Sequence, residues 1–429
     1  MYPHKIYKLD NNLKIITLPN KTTALVILNI SMKLGNDIET KEILEIGHFI
    51  EHLFSMFTSS KHPDGKKNRE ELSFRNIDLD AQIVNKEIRF TLNFHRRQTK
   101  YVFDLVSNAL TDFIVDENMF NQEKNAVIEE LNEIIKETDY KFETEIHNVI
   151  FKKSKRRFTQ DERLINTKKM KVKDITSYYK KYFTSENYVI ALFGNIDAKL
   201  FTNFKKVLSN VRHEKSYVYS NESLYLKQPI IYFKKKQNVS NLKLIIKLPF
   251  SLLDTRYYTI VALNDILTSD LNSLLLKKLR NQHGLIYDCG GYLDLDEQSP
   301  DLSCLSIETT CSTKNLTKVL ELIIETLNFV KNNNIDEKYI KSYKADVDIL
   351  KENSIFSKKP QIVINNYSKY TLWKSPLIKF EDNFKNLRNI SALKLRKMAN
   401  QIFNKNNMVV CYDGTKQVNA QILSILNKL

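Results

Sequence analysis

The sequence predicts an α+β protein of two related domains, each with a mainly antiparallel sheet covered by helices. Strand-like and helical segments are mixed along the chain without strict alternation, which is typical of this fold class. A helix, a polar break and an apolar strand occur twice, and the two strands end at Gly194 and Gly414. These glycines are 220 positions apart in a chain of 429 residues. A repeat of about half the chain indicates an internal duplication and not a solenoid.

Hydrophobic periodicity predicts the elements of the first half. Alternating apolar residues predict strands, and apolar residues three or four positions apart predict helices. In chain order, the sequence predicts strands over 6–18 and 24–34, a helix over 40–58, a strand over 89–94, and helices over 98–114 and 118–137. The stretch 173–197 then predicts the first copy of the repeated helix, polar break and strand.

The second half begins after a polar stretch at 213–228, which is followed by the strand-like sequence P-I-I-Y-F from Pro229. Residues 395–415 carry the second copy of the repeat, with N-K-N-N as its polar break. The sequence therefore predicts an N-terminal domain over 1–215, a linker over 216–228 and a homologous C-terminal domain over 229–429.

Composition limits the classes of function. No apolar run approaches the roughly 20 residues of a membrane helix, and the first ten residues contain no apolar signal core. The four cysteines lack metal-like spacing and are expected to be free thiols, which predicts the cytoplasm or another reducing compartment. The formal charge is +16. Because no basic motif interleaved with aromatic residues accompanies that charge, nucleic acid is an unlikely partner.

The stretch G-H-F-I-E-H-L-F (47–54) places two of the chain's eight histidines four positions apart. On a helix, Ile46, Ile50 and Leu53 share an apolar stripe, and the histidines project from the other side. Imidazoles at i and i+4 on one face suit a single zinc ion, and a glutamate between them suits a general base. The alternative is an ordinary helix with two surface histidines and a solvated glutamate.

A catalytic zinc site needs a third protein ligand, and the acidic helix over 120–135 is the best source. Its predicted apolar stripe consists of Phe120, Val127, Leu131 and Ile134. Glu123 and Glu130 flank the stripe, two turns apart, whereas Glu129 points towards solvent. Periodicity therefore favours Glu130, with Glu123 beside it, although either carboxylate taken alone reads as a solvated helix residue.

H-F-I-E-H followed by E-K-N-A-V-I-E-E-L resembles the inverted zinc motif of the pitrilysin, insulin-degrading enzyme and mitochondrial processing peptidase family. The resemblance implies that His48, His52 and Glu130 bind one Zn²⁺ per chain. It implies that Glu51 is the general base and Glu123 a supporting carboxylate. It also implies two homologous α/β-roll domains, of which the second, lacking H-x-x-E-H, is inactive.

Further segments resemble the same family. L-K-K-L-R-N-Q-H-G-L-I-Y-D-C (276–289) is similar to a family stretch whose Arg and Tyr reach the scissile peptide, which implies that role for Arg280 and Tyr287. A substrate-contacting strand that reads N-A-x-T in the family reads D-A-Q-I here. Ala81 matches, and Asp80 can accept but not donate a hydrogen bond to a peptide. Two-domain chains of this family pair, which implies a homodimer or a heterodimer with a related chain.

The sequence as a whole therefore predicts a zinc-dependent metalloendopeptidase that hydrolyses short or unfolded polypeptides. The alternatives are a non-catalytic metal-binding scaffold subunit of the same fold, a basic nucleic-acid-binding protein, and a metal-dependent lyase, against which the repeat argues. The spacing and local sequence around the motif also resemble those of processing peptidases of large DNA viruses. For a protein of viral origin, that resemblance implies a location in the viral factory or the virion.

Overall fold

A computed structural model describes residues 3–429, apart from 85, 138, 220–221, 298, 353–359 and 376–379. The chain forms two compact units, and neither is continuous in sequence. The first unit consists of residues 1–137, 158–220 and 356–378, and the second of 138–157, 221–355 and 379–429.

The first unit is built on a six-stranded sheet. Its strands are β1 Lys5–Lys8, β2 Lys14–Pro19, β3 Leu25–Met32, β4 Asp78–Val84, β5 Glu87–His95 and β6 Tyr188–Gly194. They are ordered β1-β2-β6-β3-β5-β4, and only the β2–β6 pair is parallel. Every residue of β6 is buried, because this strand lies inside the sheet and is covered on both faces. A strand buried on both faces reads as a continuous apolar run, as Y-V-I-A-L-F does.

Helices cover this sheet. Those of the first half are α1 Ile46–Phe54, α2 Gly65–Phe74, α3 Thr99–Thr111, α4 Glu117–Lys136, α5 Tyr140–Ile150, α6 Gln160–Lys169, α7 Val172–Tyr182 and α8 Ala198–Leu208. Local chemistry fixes their beginnings. Asp116 caps α4 by accepting the amide hydrogen of Met119, and Thr159 begins α6 in a capping box with Glu162. All of these helices except α5 belong to the first unit.

The second unit repeats the design with five strands. They are β7 Ile230–Lys234, β8 Val239–Lys247, β9 Ile286–Asp294, β10 Cys304–Ser312 and β11 Met408–Gly414, in the order β7-β11-β8-β10-β9. Its helices include α9 Tyr257–Thr268, α10 Leu274–Leu276 (continued by a π-helix, Lys277–Gln282), α11 Leu316–Asn332 and α12 Glu337–Glu352. After α13 Pro360–Leu372, which belongs to the first unit, come α14 Phe380–Arg388, α15 Ala392–Ile402 and α16 Asn419–Leu426.

The two sheets share one topology. The order β2-β6-β3-β5-β4 of the first corresponds strand for strand to β7-β11-β8-β10-β9 of the second. Each has one parallel pair, β2–β6 or β7–β11, in an otherwise antiparallel sheet. The predicted α+β class and the internal duplication are therefore confirmed. At the end of β6, Gly194 has a φ of +123°, and an added Cβ would lie 2.5 Å from the carbonyl oxygen of Leu25, so only glycine fits there.

One helix from each half of the chain packs on the sheet formed by the other half. Helix α5 packs its buried Phe142, Ile146 and Ile150 against the second sheet, where they contact a cluster that includes Ile245 and Val409. Burial of each such side chain contributes about 1.5–3 kcal/mol. In the opposite direction, α13 lies on β3 and β6 of the first sheet. Asn365 on α13 accepts a hydrogen bond from Asn29 on β3 at 2.9 Å.

These exchanged helices distinguish the structure from the continuous domains that the sequence predicts. The chain passes from the first unit to the second at residues 220 and 221, inside the predicted linker 216–228, and these two residues lie outside the described part. The segments 138–157 and 356–378 belong to the unit of the opposite half. Local periodicity carries no information on such an exchange, because a helix covering either sheet needs the same apolar stripe.

Two further sequence predictions differ in extent from the structure. The helix predicted over 40–58 is shorter, since α1 covers only Ile46–Phe54. Phe57, three residues beyond the end of α1, is buried and has a φ of +48°. A helix cannot continue through a residue with this backbone conformation. The apolar stripe of α4 ends at Leu131, because Ile134 is 36% exposed. Both differences lie at helix ends, where tertiary contacts outweigh periodicity.

All four cysteines are buried free thiols, as the sequence predicts. Burial raises the pKa of Cys304 to about 12, so this thiol is unreactive near neutral pH. Among the described residues, none of the helices has the length and apolarity that crossing a bilayer requires.

Candidate metal centre

Helix α1 presents two histidines and a glutamate on one side and a core-forming face on the other. Ile46, Ile50 and Leu53 are fully buried in the core of the first unit. The side chains of His48 and His52 remain 19% and 17% exposed. Their spacing of four residues places both imidazoles on one side of the helix, one turn apart.

A close approach of strand β4 sets the position of this helix. A Cβ added at Gly47 would lie 2.8 Å from Cδ1 of Ile83 on β4 and 3.3 Å from Oε1 of Glu39. The amide of Gly47 also donates a hydrogen bond to Glu39 Oε1 at 3.0 Å. Glycine at position 47 therefore lets β4 pass directly beside the histidine that follows.

Helix α4 supplies the third candidate ligand. Glu130 Oε2 lies 3.2 Å from His48 Nε2, and Glu130 Oε1 lies 3.7 Å from His52 Nε2. The two Nε2 atoms are 3.1 Å apart. Glu129 is exposed and takes no part in this group.

The donor set fits a zinc ion. In a tetrahedral site with Zn–N distances of about 2.0–2.1 Å, ligand atoms are roughly 3.3 Å from one another. The Nε2 atoms and a Glu130 oxygen lie within 4.8 Å of one another, close to that requirement. Within the described ranges this is the only group of three His, Cys, Asp or Glu side chains that satisfies such a distance limit.

Both histidines have a carboxylate partner for the ring nitrogen that faces away from the candidate site. His52 Nδ1 lies 2.9 Å from Glu123 Oε2, and His48 Nδ1 lies 2.8 Å from Glu45 Oε1. The hydrogen bond from His52 lowers the pKa of Glu123, and Arg69 at 3.5 Å acts in the same direction. Carboxylates at Nδ1 favour the Nδ1–H tautomer and leave the lone pair of Nε2 free for a metal.

Glu51 lies beside the two histidines. Its side chain is 15% exposed, and its Oε2 lies 3.8 Å from His52 Nε2. Burial raises the pKa of the Glu51 carboxyl above its ordinary value; Glu130 and Asp80 also raise it, while the two histidines lower it. A raised carboxyl pKa improves proton transfer near neutral pH.

Strand β4 offers an edge beside this group. It is the last strand of its sheet, and it pairs only with β5 among the described strands. Asp80 and Ala81 lie on it and are half-buried. Asp80 and Ala81, for which the family resemblance implies contact with substrate, therefore lie next to α1. They are on a sheet edge where an extended peptide can pair.

Arg280 and Tyr287 belong to the second unit. Arg280 lies on the π-helix, and Tyr287 lies on β9, the strand that corresponds to β4 in the repeat. The Arg280 guanidinium carbon is 4.8 Å from the centre of the Tyr287 ring, which is 79% exposed. The two side chains thus form a cation–π pair on the edge strand of the second sheet.

Sequence reasoning missed three residues around His48. Glu45, Glu39 and Arg163 form a buried ion-pair group, in which Arg163 Nη1 lies 2.7 Å from a carboxylate oxygen of each glutamate. Glu45 could have been suspected, since it precedes His48 by three residues. Arg163 and Glu39 are 124 positions apart and give no local signal.

An inverted H-x-x-E-H helix joined by a glutamate from a second helix, within a duplicated fold, defines a class of metal-dependent peptidases. The comparisons with known proteins agree. Residues 14–160 match the family model described as Insulinase (Peptidase family M16), and residues 169–347 match the Peptidase M16 inactive domain. The chain belongs to peptidase family M16.

Individual relatives are distant. The protein named Uncharacterized zinc protease YmxG of Bacillus subtilis is 24% identical over 353 residues, covering 80% of this chain and 82% of that protein. The mitochondrial-processing peptidase subunit beta of Saccharomyces cerevisiae is 26% identical over 214 residues, covering 49% and 45%. The crystal structure of a protease from Helicobacter pylori superposes with a TM-score of 0.80 at 16% identity, covering 96% and 100%, which shows a shared fold.

Proposed function

We propose that this chain is a zinc-dependent metalloendopeptidase that hydrolyses short or unfolded polypeptides. The observation that carries the proposal is the convergence of His48 Nε2, His52 Nε2 and Glu130, with Glu51 beside them. One Zn²⁺ held by these three side chains would polarise a carbonyl and make water a stronger acid. Membership of a peptidase family and a relative named as a zinc protease support this assignment.

Residues of the chain would carry out proton transfer, bind the peptide and orient a metal ligand. Glu51 takes a proton from the attacking water as the water oxygen bonds to the scissile carbonyl carbon. When the C–N bond breaks, Glu51 returns that proton to the leaving amine. An extended peptide adds to β4 near Asp80 and Ala81, so that its backbone hydrogen bonds align the scissile bond. Glu123 holds His52 through Nδ1.

The test combines metal analysis with cleavage of a quenched peptide library by the wild-type protein and Glu51→Gln. Glu51→Gln should retain zinc, because Glu51 is not a ligand, and should lose about 10²–10⁴-fold in rate, because the base is gone. Wild-type protein that binds no zinc, or Glu51→Gln that cleaves as fast as wild type, would contradict the proposal.

We further propose that two such chains, or this chain and a related one, complete each other's sites. The half-buried Arg280 and the exposed Tyr287 carry donors of the kind that an oxyanion on the substrate needs, and they lie in the unit without the histidine pair. The Saccharomyces cerevisiae relative is named as a subunit.

A mixture of Glu51→Gln and Arg280→Ala chains tests this pairing. If the partner supplies Arg280, one mixed site contains every intact residue, and part of the activity returns. The matched control is the same amount of the Arg280→Ala chain alone, in which every site lacks the arginine. Activity no higher than in that control would contradict a site completed by the partner.

A further inference from the structure

Glu45 has an unusual backbone conformation directly before α1. Its φ is +72°, in the left-handed region that non-glycine residues rarely adopt. The conformation costs about 1–2 kcal/mol for a residue with a long side chain. The Glu45 side chain is also 7% exposed, which adds the cost of removing a carboxylate from water. Contacts of the side chain must offset both costs.

Two of these contacts are strong. Glu45 Oε1 accepts a hydrogen bond from His48 Nδ1 at 2.8 Å, and Oε2 accepts one from Arg163 Nη1 at 2.7 Å. Arg163 lies on α6 and is itself buried. Glu45 therefore links the first turn of α1 to a helix more than 110 positions later in the chain.

Arg163 has a second carboxylate partner, which leaves one oxygen of Glu45 free to accept a hydrogen bond from His48. Glu39, almost fully buried, also accepts from Arg163 Nη1 at 2.7 Å, and one carboxylate suffices to neutralise one guanidinium. His48 is the neighbour towards which the second Glu45 oxygen points.

We propose that Glu45 is a positioning residue for His48. By accepting the Nδ1 hydrogen, it fixes the ring in the Nδ1–H tautomer and in the rotation that directs Nε2 at Glu130 and His52. Arg163 holds the Glu45 carboxylate in that place. The inference rests on the proposed function for its metal, but the hydrogen bond to His48 is independent of any ion.

The first test reads the tautomers directly. In chelator-treated protein labelled with ¹⁵N-histidine, at a pH where both rings are neutral, wild-type His48 and His52 should both show the Nδ1–H tautomer. Glu45→Gly fits the left-handed backbone without strain, and it should shift only His48 towards Nε2–H. His52, paired with Glu123, is the internal control. No shift at His48, or equal shifts at both rings, would overturn the proposal.

The second test measures zinc affinity by competition with a chelator. Loss of a carboxylate partner of a metal-binding histidine typically weakens binding about 10–100-fold, and that loss is expected for Glu45→Gly. The matched control is Glu42→Gly, which removes an exposed glutamate three residues earlier. Unchanged affinity in folded Glu45→Gly would contradict the proposal.

The two tests separate this inference from the proposed function. Wild-type protein that binds no zinc would contradict the peptidase proposal, while the tautomers would still decide the role of Glu45. If Glu45→Gly does not fold, Glu45→Asn takes its place, since asparagine tolerates the left-handed region and its shorter side chain cannot span both partners.

Discussion

At the scale of single residues, the candidate centre depends on which nitrogen of each imidazole is free. A neutral imidazole has one donor and one acceptor nitrogen. When the carboxylates of Glu45 and Glu123 accept from Nδ1 of His48 and His52, the two Nε2 atoms, 3.1 Å apart, are left to share a metal ion or a proton. This is the hydrogen-bond pattern that the proposed zinc centre requires.

The register of α4 gives a prediction at this scale. Glu130→Gln should weaken zinc binding by at least about tenfold, because a neutral amide is a poorer zinc ligand than a carboxylate. Its neighbour provides the control, since Glu129→Gln changes an exposed side chain outside the centre and should bind zinc like wild type. Equilibrium dialysis against a zinc buffer measures both. Equal loss in the two variants would contradict the assigned register.

The sequence contained enough information for the part of the site that follows helical periodicity. The spacing of His48 and His52, and the side of the α4 stripe on which Glu130 lies, each follow from 100° per residue. The contacts of Glu45 and Arg163 could not be predicted from helical periodicity. Glu45 lies outside the helix in a left-handed conformation, and its contact with Arg163 joins segments that only the folded chain brings together.

At the scale of elements, the segment after α13 places an aromatic ring over a buried lysine. Lys33 Nζ lies 4.8 Å from the centre of the Trp373 ring, and Lys33 is 7% exposed. Burial, followed by the charges of Lys374 and Lys14, lowers the pKa of Lys33 to about 8. A lysine ammonium directly after β3 is thus covered by the segment that follows α13.

Lys33 makes the stability of the protein depend on pH. The folded protein releases this proton near pH 8, whereas the unfolded chain keeps it until about pH 10.5. Between these values the unfolded state binds more protons, so the free energy of unfolding rises with pH, by roughly 3 kcal/mol for this group. Urea unfolding of wild type and Lys33→Met should show the rise in wild type only.

A control accounts for other titrating groups in that range. Lys21→Met removes an exposed lysine and should preserve the wild-type dependence on pH. If the Lys33→Met protein gains stability with pH as steeply as the Lys21→Met protein does, the pKa of Lys33 is not lowered in the folded protein.

At the scale of the whole molecule, exchanged helices make the two halves of the sequence interdependent. A fragment ending near residue 220 contains the first sheet without α13, and the remainder contains the second sheet without α5. Each fragment alone would expose an apolar sheet face, which favours aggregation. We expect neither fragment to be soluble by itself and the two to co-purify when expressed together.

A site for a specific protease, inserted near residue 220, provides the control for this prediction. Cleavage after folding should leave the two pieces associated, since both exchanged helices are already in place. Size-exclusion chromatography of the cleaved, singly expressed and co-expressed forms gives the answer. A monomeric fragment that unfolds cooperatively on its own would show that the exchange is dispensable.

The exchange of helices also determines when the first sheet becomes covered during synthesis. Strand β6 completes the first sheet at Gly194, but α13, which covers that sheet, ends at Leu372. At roughly 5–20 residues per second, a ribosome needs on the order of ten to thirty seconds to make the residues between them. Throughout that interval the nascent chain carries a finished sheet with an uncovered apolar face. Slow translation between these points would therefore prolong the need for chaperone protection of that face.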